Sequence, residues 1–74
     1  MKIKIKYFGM IAERVNKQEE VLDLEILKVS DLSNHFENIS YMNFQIAVNQ
    51  NIVPDDFKLN ENDEVALLPA FAGG

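Results

Sequence analysis

Lys2-Ile3-Lys4-Ile5-Lys6-Tyr7-Phe8-Gly9 opens the chain with an alternation that decides how the rest is read. Ile3, Ile5 and Tyr7 fall on one side, and Lys2, Lys4, Lys6 and Phe8 on the other, which is the period of a strand with one buried face. Gly9 ends it. Met10, Ile11 and Val15 then recur at helical spacing through the helix-tolerant Ala12, Glu13 and Arg14. Asn16 suits the left-handed conformation that stops a helix. Val21 to Ile26 alternates again, with Leu22, Leu24 and Ile26 inward and Asp23 and Glu25 outward, as a second strand. Ser30 is placed as an N-cap, with Asp31 favourable to the helix dipole. Val29, Leu32, Phe36 and Ile39 make one apolar stripe on a helix of two to three turns.

Phe44, Ile46 and Val48 alternate with Gln45, Ala47 and Asn49 as a third strand. Asn49-Gln50-Asn51 supplies turn residues, and Ile52-Val53 is a brief fourth strand stopped by Pro54. Asp55 to Asn62 is polar except for Phe57 and Leu59, which plug the core from a loop. Glu64 to Leu68 is the last strand, ended by Pro69. The order β, short α, β, α, β, β, β predicts an α+β roll: a mixed sheet with one main helix packed across it.

Seventy-four residues are expected to form one domain, with residues 70–74 as a flexible tail. A chain of this size buries only about 60% of its unfolded surface, so modest stability is expected. The absence of cysteine removes disulfides, thiol nucleophiles and thiolate metal sites, and a single histidine cannot build a His-based metal cluster. Lys2, Lys4 and Lys6 interrupt any signal-peptide reading, and no stretch reaches the ~20 apolar residues of a membrane span. A soluble intracellular protein is the expectation. Twelve acidic residues against seven basic give a formal charge of −5, which argues against nucleic acid. The same charge suits a basic protein partner, or serves solubility alone.

Side-chain parity yields a surface. If Ile3, Ile5 and Tyr7 are buried, Phe8 faces outward with the lysines. If Val65 and Leu67 are buried, Leu68 faces outward with Glu64 and Ala66. Provided the two strand ends are neighbours, Phe8, Leu68 and Pro69 form an exposed apolar patch of the kind that marks partner surfaces. A bulge or twist that returns one of them to the core is the competing reading.

Side-chain catalysis finds no support. Ser30, Ser33 and Ser40 lie in capping or loop contexts, and His35 has no orienting acid close in sequence. Asp55-Asp56 and the acids between Glu61 and Glu64 lack the ligand spacing and turn glycine of a calcium loop, and read as solvated turns. With glycine only at Gly9, Gly73 and Gly74, no phosphate-cradling loop is present. What remains is the ending, Pro69-Ala70-Phe71-Ala72-Gly73-Gly74. A terminal glycine pair arises by chance in roughly one chain in 200. Glycine lets the backbone lie extended in a narrow channel and leaves the terminal carbonyl open to attack. A carboxylate is a poor electrophile and needs activation, most simply as an acyl-adenylate. No ATP site is visible in this chain, so a partner would supply that step.

Three segments together carry a family resemblance: Lys4-Ile5-Lys6-Tyr7-Phe8-Gly9, Ile46-Ala47-Val48-Asn49-Gln50, and Asn62-Asp63-Glu64-Val65-Ala66-Leu67-Leu68-Pro69 running into Gly73-Gly74. They resemble the ubiquitin-like sulfur carriers, and among these the small subunits of molybdopterin synthase. The likeness spans nearly the whole chain and is weakest from Asn16 to Tyr41. It implies a β-grasp fold with the first and last strands parallel neighbours. It implies that a partner similar to ubiquitin-activating enzymes uses ATP to adenylate Gly74, and that a sulfur donor converts it to a thiocarboxylate. The chain itself would bind no cofactor and act as a non-catalytic carrier. Phe71, Ala72 and Gly73 would enter the large catalytic subunit, with Phe8, Leu68 and Pro69 at the interface of a cytoplasmic heterotetramer. Sulfur would pass there to a pyranopterin precursor to build the dithiolene.

The chain departs from the family pattern in three places. Ala12-Glu13 stands where an arginine often precedes the glutamate, Asn16-Lys17 replaces the usual glycine, and Pro69-Ala70-Phe71 precedes the tail. Asn49-Gln50-Asn51-Ile52-Val53-Pro54 resembles the thiamine-pathway carriers, but those join the first two strands by a tight turn, and Gly9 to Glu20 leaves room here for a helix. A protein modifier forming isopeptide bonds, and a plain interaction module with an incidental Gly-Gly, are the other readings.

Overall fold

A computed structural model describes residues 1–25, 28–36 and 43–69 of the chain. The elements run β1 (Lys2–Tyr7), α1 (Gly9–Val15), β2 (Glu19–Asp23), α2 (Val29–His35), β3 (Phe44–Val48), β4 (Asn51–Ile52) and β5 (Glu64–Pro69). The five strands form one sheet in the order β2-β1-β5-β3-β4. β1 and β5 are parallel at its centre, with Ile5 beside Val65 and Tyr7 beside Leu67, while the other pairs are antiparallel. This is the expected mixed sheet of a β-grasp fold.

The parity of β1 holds: Ile3 and Ile5 are wholly buried and Tyr7 nearly so. Val65 and Leu67 join them from β5, Ile46 and Val48 from β3, and Leu59 from the loop between β4 and β5. Val29, Leu32 and Phe36 lay the α2 stripe on this face, with the Tyr7 and Phe36 rings edge to face at 5.9 Å. Ile39, expected on the same stripe, lies outside the described residues. The second strand begins two residues before the expected start and ends at Asp23. Leu22 and Leu24 still pack against the core, whereas Ile26 falls outside the described residues.

Ser30 is not the N-cap of α2; it lies inside the helix. A loop distant in sequence caps that end instead. The Val29 N–H donates to the Phe57 carbonyl at 3.0 Å and the Ser30 N–H to the Asp55 carbonyl at 2.9 Å. Asp31 returns the favour by accepting the Lys28 N–H on its carboxylate at 3.1 Å, half of a capping box. Phe57 packs against the core at its margin, as its place in a polar loop implied.

The β3–β4 hairpin turns on Asn49 and Gln50, both at positive φ, between the paired Val48 and Asn51. Two consecutive left-handed residues characterise the turn whose twist matches that of the strands. Asn49 then does a second task. Its amide donates to the Asp63 carboxylate at 3.0 Å, and its side-chain oxygen accepts the Glu64 N–H at 3.1 Å. The other Asp63 oxygen accepts the Asn60 N–H at 2.7 Å. Asp63 is only 8% exposed. The expectation of solvated turns between Glu61 and Glu64 is therefore wrong at Asp63, which ties the hairpin to the start of β5.

Candidate functional site

The site is assembled where β1 and β5 end side by side. Because these strands are parallel and in register at Tyr7 and Leu67, Phe8 and Leu68 are the next residues along each, both on the face away from the core. Phe8 keeps an extended backbone and is 43% exposed, so it lies on the surface as its parity requires. Leu68 and Pro69 are half-buried, so the apolar surface here is weighted toward Phe8. Met10 adds to it. Expected on the buried side of the first helix, Met10 is instead 48% exposed, and Ile11 alone among the α1 residues is buried. Ile11 is the buried anchor of this seven-residue helix, with Ala12 and Val15 packed partly buried against the core.

The Phe8 carbonyl accepts the Ile11 N–H at 3.1 Å and the Ala12 N–H at 3.4 Å, which anchors the start of α1 to the end of β1. Gly9 follows with φ at +55°, a conformation that penalises most residues with a Cβ and asparagine least. Its open side is occupied. A Cβ at Gly9 would stand 3.0 Å from Pro69 Cγ, so the ring that closes β5 leans on the glycine that opens α1. At the other end of α1, Asn16 takes the left-handed cap expected of it, at φ 60°.

Lysines on the same face are neutralised in place. Lys4 pairs with Glu19 at 3.0 Å and Lys6 with Glu64 at 3.1 Å, diagonal partners across neighbouring strands. Both pairs are largely solvated and contribute little to stability. The Glu19 carboxylate raises the Lys4 pKa. The remaining central strip of the face is small and apolar, Ala47 beside Ala66, with Ile52 exposed at its far edge.

Beneath the patch, the Tyr7 hydroxyl donates a short hydrogen bond to Glu20. Burial, then this bond, raises the Tyr7 pKa well above its ordinary value. The same bond, opposed by partial burial and assisted by Lys17 at 3.0 Å, lowers that of Glu20. The Glu20 contribution is present above about pH 4.5 and is lost as pH falls through the lowered value. The Tyr7 contribution is present below about pH 10 and is lost as pH rises further. Tyr7→Phe should cost about 1 kcal/mol at neutral pH and make both limbs of the stability curve shallower. Melting curves from acid to alkaline pH check this; a curve lowered uniformly would assign the loss to packing.

His35 is exposed and stacks edge-on against Phe36 at 5.0 Å, a surface role as its isolation implied. Among the described residues, no group of His, Asp and Glu could hold a metal ion, and no helix is long and apolar enough to cross a membrane. Phe71, Ala72, Gly73 and Gly74, the expected tail and sulfur-bearing residues, lie outside the described residues. The structure thus brings Phe8, Leu68 and Pro69 together at the base of that tail.

Comparison with known proteins gives concordant matches. The ThiS family model matches residues 5–74. The molybdopterin synthase sulfur carrier subunit of Mycobacterium tuberculosis is 32% identical over 85 aligned positions, covering 100% of this chain and 99% of that protein. A Pyrococcus furiosus structure described as molybdopterin converting factor subunit 1 superposes with a TM-score of 0.86 at 27% identity, covering 96% of this chain and 99% of that one. In a complex of subunits 1 and 2 of molybdopterin-converting factor from Helicobacter pylori, the matching chain has a TM-score of 0.67 and 18% identity over the full length of both, a likeness of fold.

Proposed function

The chain belongs to the ThiS family, and from that premise we propose that it is the sulfur carrier subunit of a molybdopterin synthase, with its terminal carbonyl as the sulfur-bearing group. The supporting observation is the exit of the chain: β5 ends at Pro69 against Gly9, beside exposed Phe8, and five residues remain to the Gly74 carboxylate. Fully extended, five residues reach at most about 17 Å, enough to enter another protein's pocket while the body stays outside.

In this reading the Gly74 carboxylate attacks the α-phosphorus of ATP in an adenylating partner. Pyrophosphate leaves and the acyl-adenylate forms. Sulfur at the oxidation level of hydrosulfide, brought by a donor protein, adds to the carbonyl and expels AMP, leaving a thiocarboxylate. In the large catalytic subunit the sulfur passes to a pyranopterin precursor, and water restores the carboxylate for another round. The chain contributes no side chain to these steps. Its folded part docks and its tail delivers. The working assembly is a cytoplasmic heterotetramer with two large subunits at its centre and a carrier at each end.

Phe8, Leu68 and Pro69 form the docking edge in this proposal. Phe8→Ala should weaken binding to the large subunit by about tenfold, as loss of an interface aromatic does. Its effect on stability should stay within about 0.5 kcal/mol, because the side chain is a surface one. Leu68→Ala should likewise lose more binding than stability, with a larger folding cost at its half-buried position. Titration calorimetry beside thermal melting separates the two; a large stability loss with unchanged affinity would make these core residues.

A thiamine-pathway carrier is the second reading, favoured by the Asn49 to Pro54 segment. Against it stands α1, which fills the connection between β1 and β2. Mixing sulfur-loaded chain with a molybdopterin synthase large subunit and the pyranopterin precursor, in parallel with a thiazole-forming system, separates them. Dithiolene formation in the first mixture alone is the expected result; transfer only in the second would overturn the molybdopterin assignment.

A further inference from the structure

We infer that Gly9 is a positioning residue for sulfur transfer: by lacking a side chain it seats the Pro69 ring and so fixes the direction in which the tail leaves the fold. The inference rests on the carrier reading and deepens it. Two features of Gly9 coincide. Its φ of +55° favours glycine for backbone reasons, and its Cβ position lies 3.0 Å from Pro69 Cγ and 3.8 Å from Pro69 Cδ. Even where the backbone tolerated a side chain, the proline ring would have to move.

Both partners in the contact are held. On one side, the Phe8 carbonyl takes the Ile11 and Ala12 amides, so the residue before Gly9 is fixed at the end of β1. On the other, Pro69 is in register with Phe44 and stands two residues after Leu67, which is wholly buried. Proline fixes its own φ and offers no N–H, so sheet pairing through its amide stops there. Pro69 is therefore the joint between the described sheet and the residues that lead to Gly74. With the folded part docked through the Phe8 edge and the tail threaded into a pocket, the two are joined at this residue. A misdirected joint strains one engagement or the other, and the strain falls where the terminal carbonyl must be placed for reaction.

The test separates backbone strain from contact with the ring. Asparagine tolerates positive φ yet carries a Cβ, so Gly9→Asn imposes the steric contact with little backbone penalty. Carriers are loaded with sulfur by an adenylating enzyme, ATP and a sulfide source, and the thiocarboxylate is checked by mass. The loaded carrier is then varied against a molybdopterin synthase large subunit and the pyranopterin precursor, with dithiolene formation as the readout. Gly9→Asn should lower kcat roughly tenfold or more, with KM held within about twofold, since misplacement of a reacting group acts on the chemical step. Pro69→Ala removes the offending ring atoms, so Gly9→Asn/Pro69→Ala should regain the kcat of Pro69→Ala alone. Unchanged kcat, a loss confined to KM, or a double variant no better than Gly9→Asn would overturn the inference. Should Gly9→Asn fail to fold, Pro69→Gly carries the test, because it adds no atoms and frees the joint. A fall in its kcat at constant KM supports the inference, and an unchanged kcat overturns it. Failure of the wild-type chain to gain sulfur at all would instead count against the carrier reading itself.

Discussion

Removal of Gly74 is expected to abolish sulfur transfer while leaving the melting temperature of the fold unchanged. The two effects separate because the described core residues end at Leu67, and β5 closes at Pro69. In the proposed function the tail performs the chemistry, while every described core residue precedes it in the chain. Gly73 should be nearly as sensitive. In the proposed transfer a glycine there would let the backbone lie in a narrow channel, and a bulky replacement would hold the carbonyl away from the reacting group. Gly73→Val should reduce transfer by a factor of roughly a hundred, the scale on which misplacement of about 1 Å is felt. Transfer assayed with the activating enzyme and large subunit, beside thermal melting, provides the check. Retained transfer in either variant would contradict the carrier role.

Asp63→Ala should be the most damaging change among the polar residues described here. Its carboxylate accepts the Asn49 amide and the Asn60 N–H, and it is nearly excluded from solvent. Alanine would remove both acceptors and strand two donors, one a backbone amide. Hydrogen bonds to a charged group contribute about 1.5–3 kcal/mol, so a loss of about 2–3 kcal/mol is expected after partial rehydration. For a domain of this size that lowers the melting temperature by roughly 10–20 °C. Asp63→Asn should recover only part of the loss, since an amide can present one acceptor but also a donor to two donors. A change of only a degree or two would mean the carboxylate is hydrated as an ordinary turn residue. Sulfur transfer by the folded fraction should persist, because this knot lies at the opposite end of β5 from the tail.

How far the sequence could be read depended on whether the deciding interaction was local. β1 was legible because Ile3, Ile5 and Tyr7 alternate with three lysines, and that period admits one assignment. Asn16 was legible as a helix stop because left-handed asparagine is a property of one residue. Ser30 was misassigned because the true cap of α2 comes from the Asp55 and Phe57 carbonyls, some 25 positions away in sequence. Asp63 was misread for a related reason: its burial follows from Asn49 arriving across the β3–β4 turn. Met10 failed because a two-turn helix constrains the phase of its apolar stripe only weakly.

At the site, Phe8 was legible from parity alone, while Leu68 and Pro69 were placed on the right face but assigned too much exposure. The Gly9–Pro69 contact carried no sequence signal. A glycine after a strand looks like a breaker, and only the tertiary neighbour reveals why a side chain is excluded. The tail was conspicuous in the sequence, and the role proposed for it rests on chemistry with other proteins that the fold alone does not reveal.

Intact mass spectrometry after incubation with an adenylating partner, ATP and a sulfide source asks whether the terminal carbonyl carries the cargo. One sulfur in place of one oxygen, localised to Gly74 by fragmentation and absent without ATP, is the predicted product. An unmodified C-terminus under conditions that load a known carrier, or a covalent conjugate to lysine in its place, would contradict it.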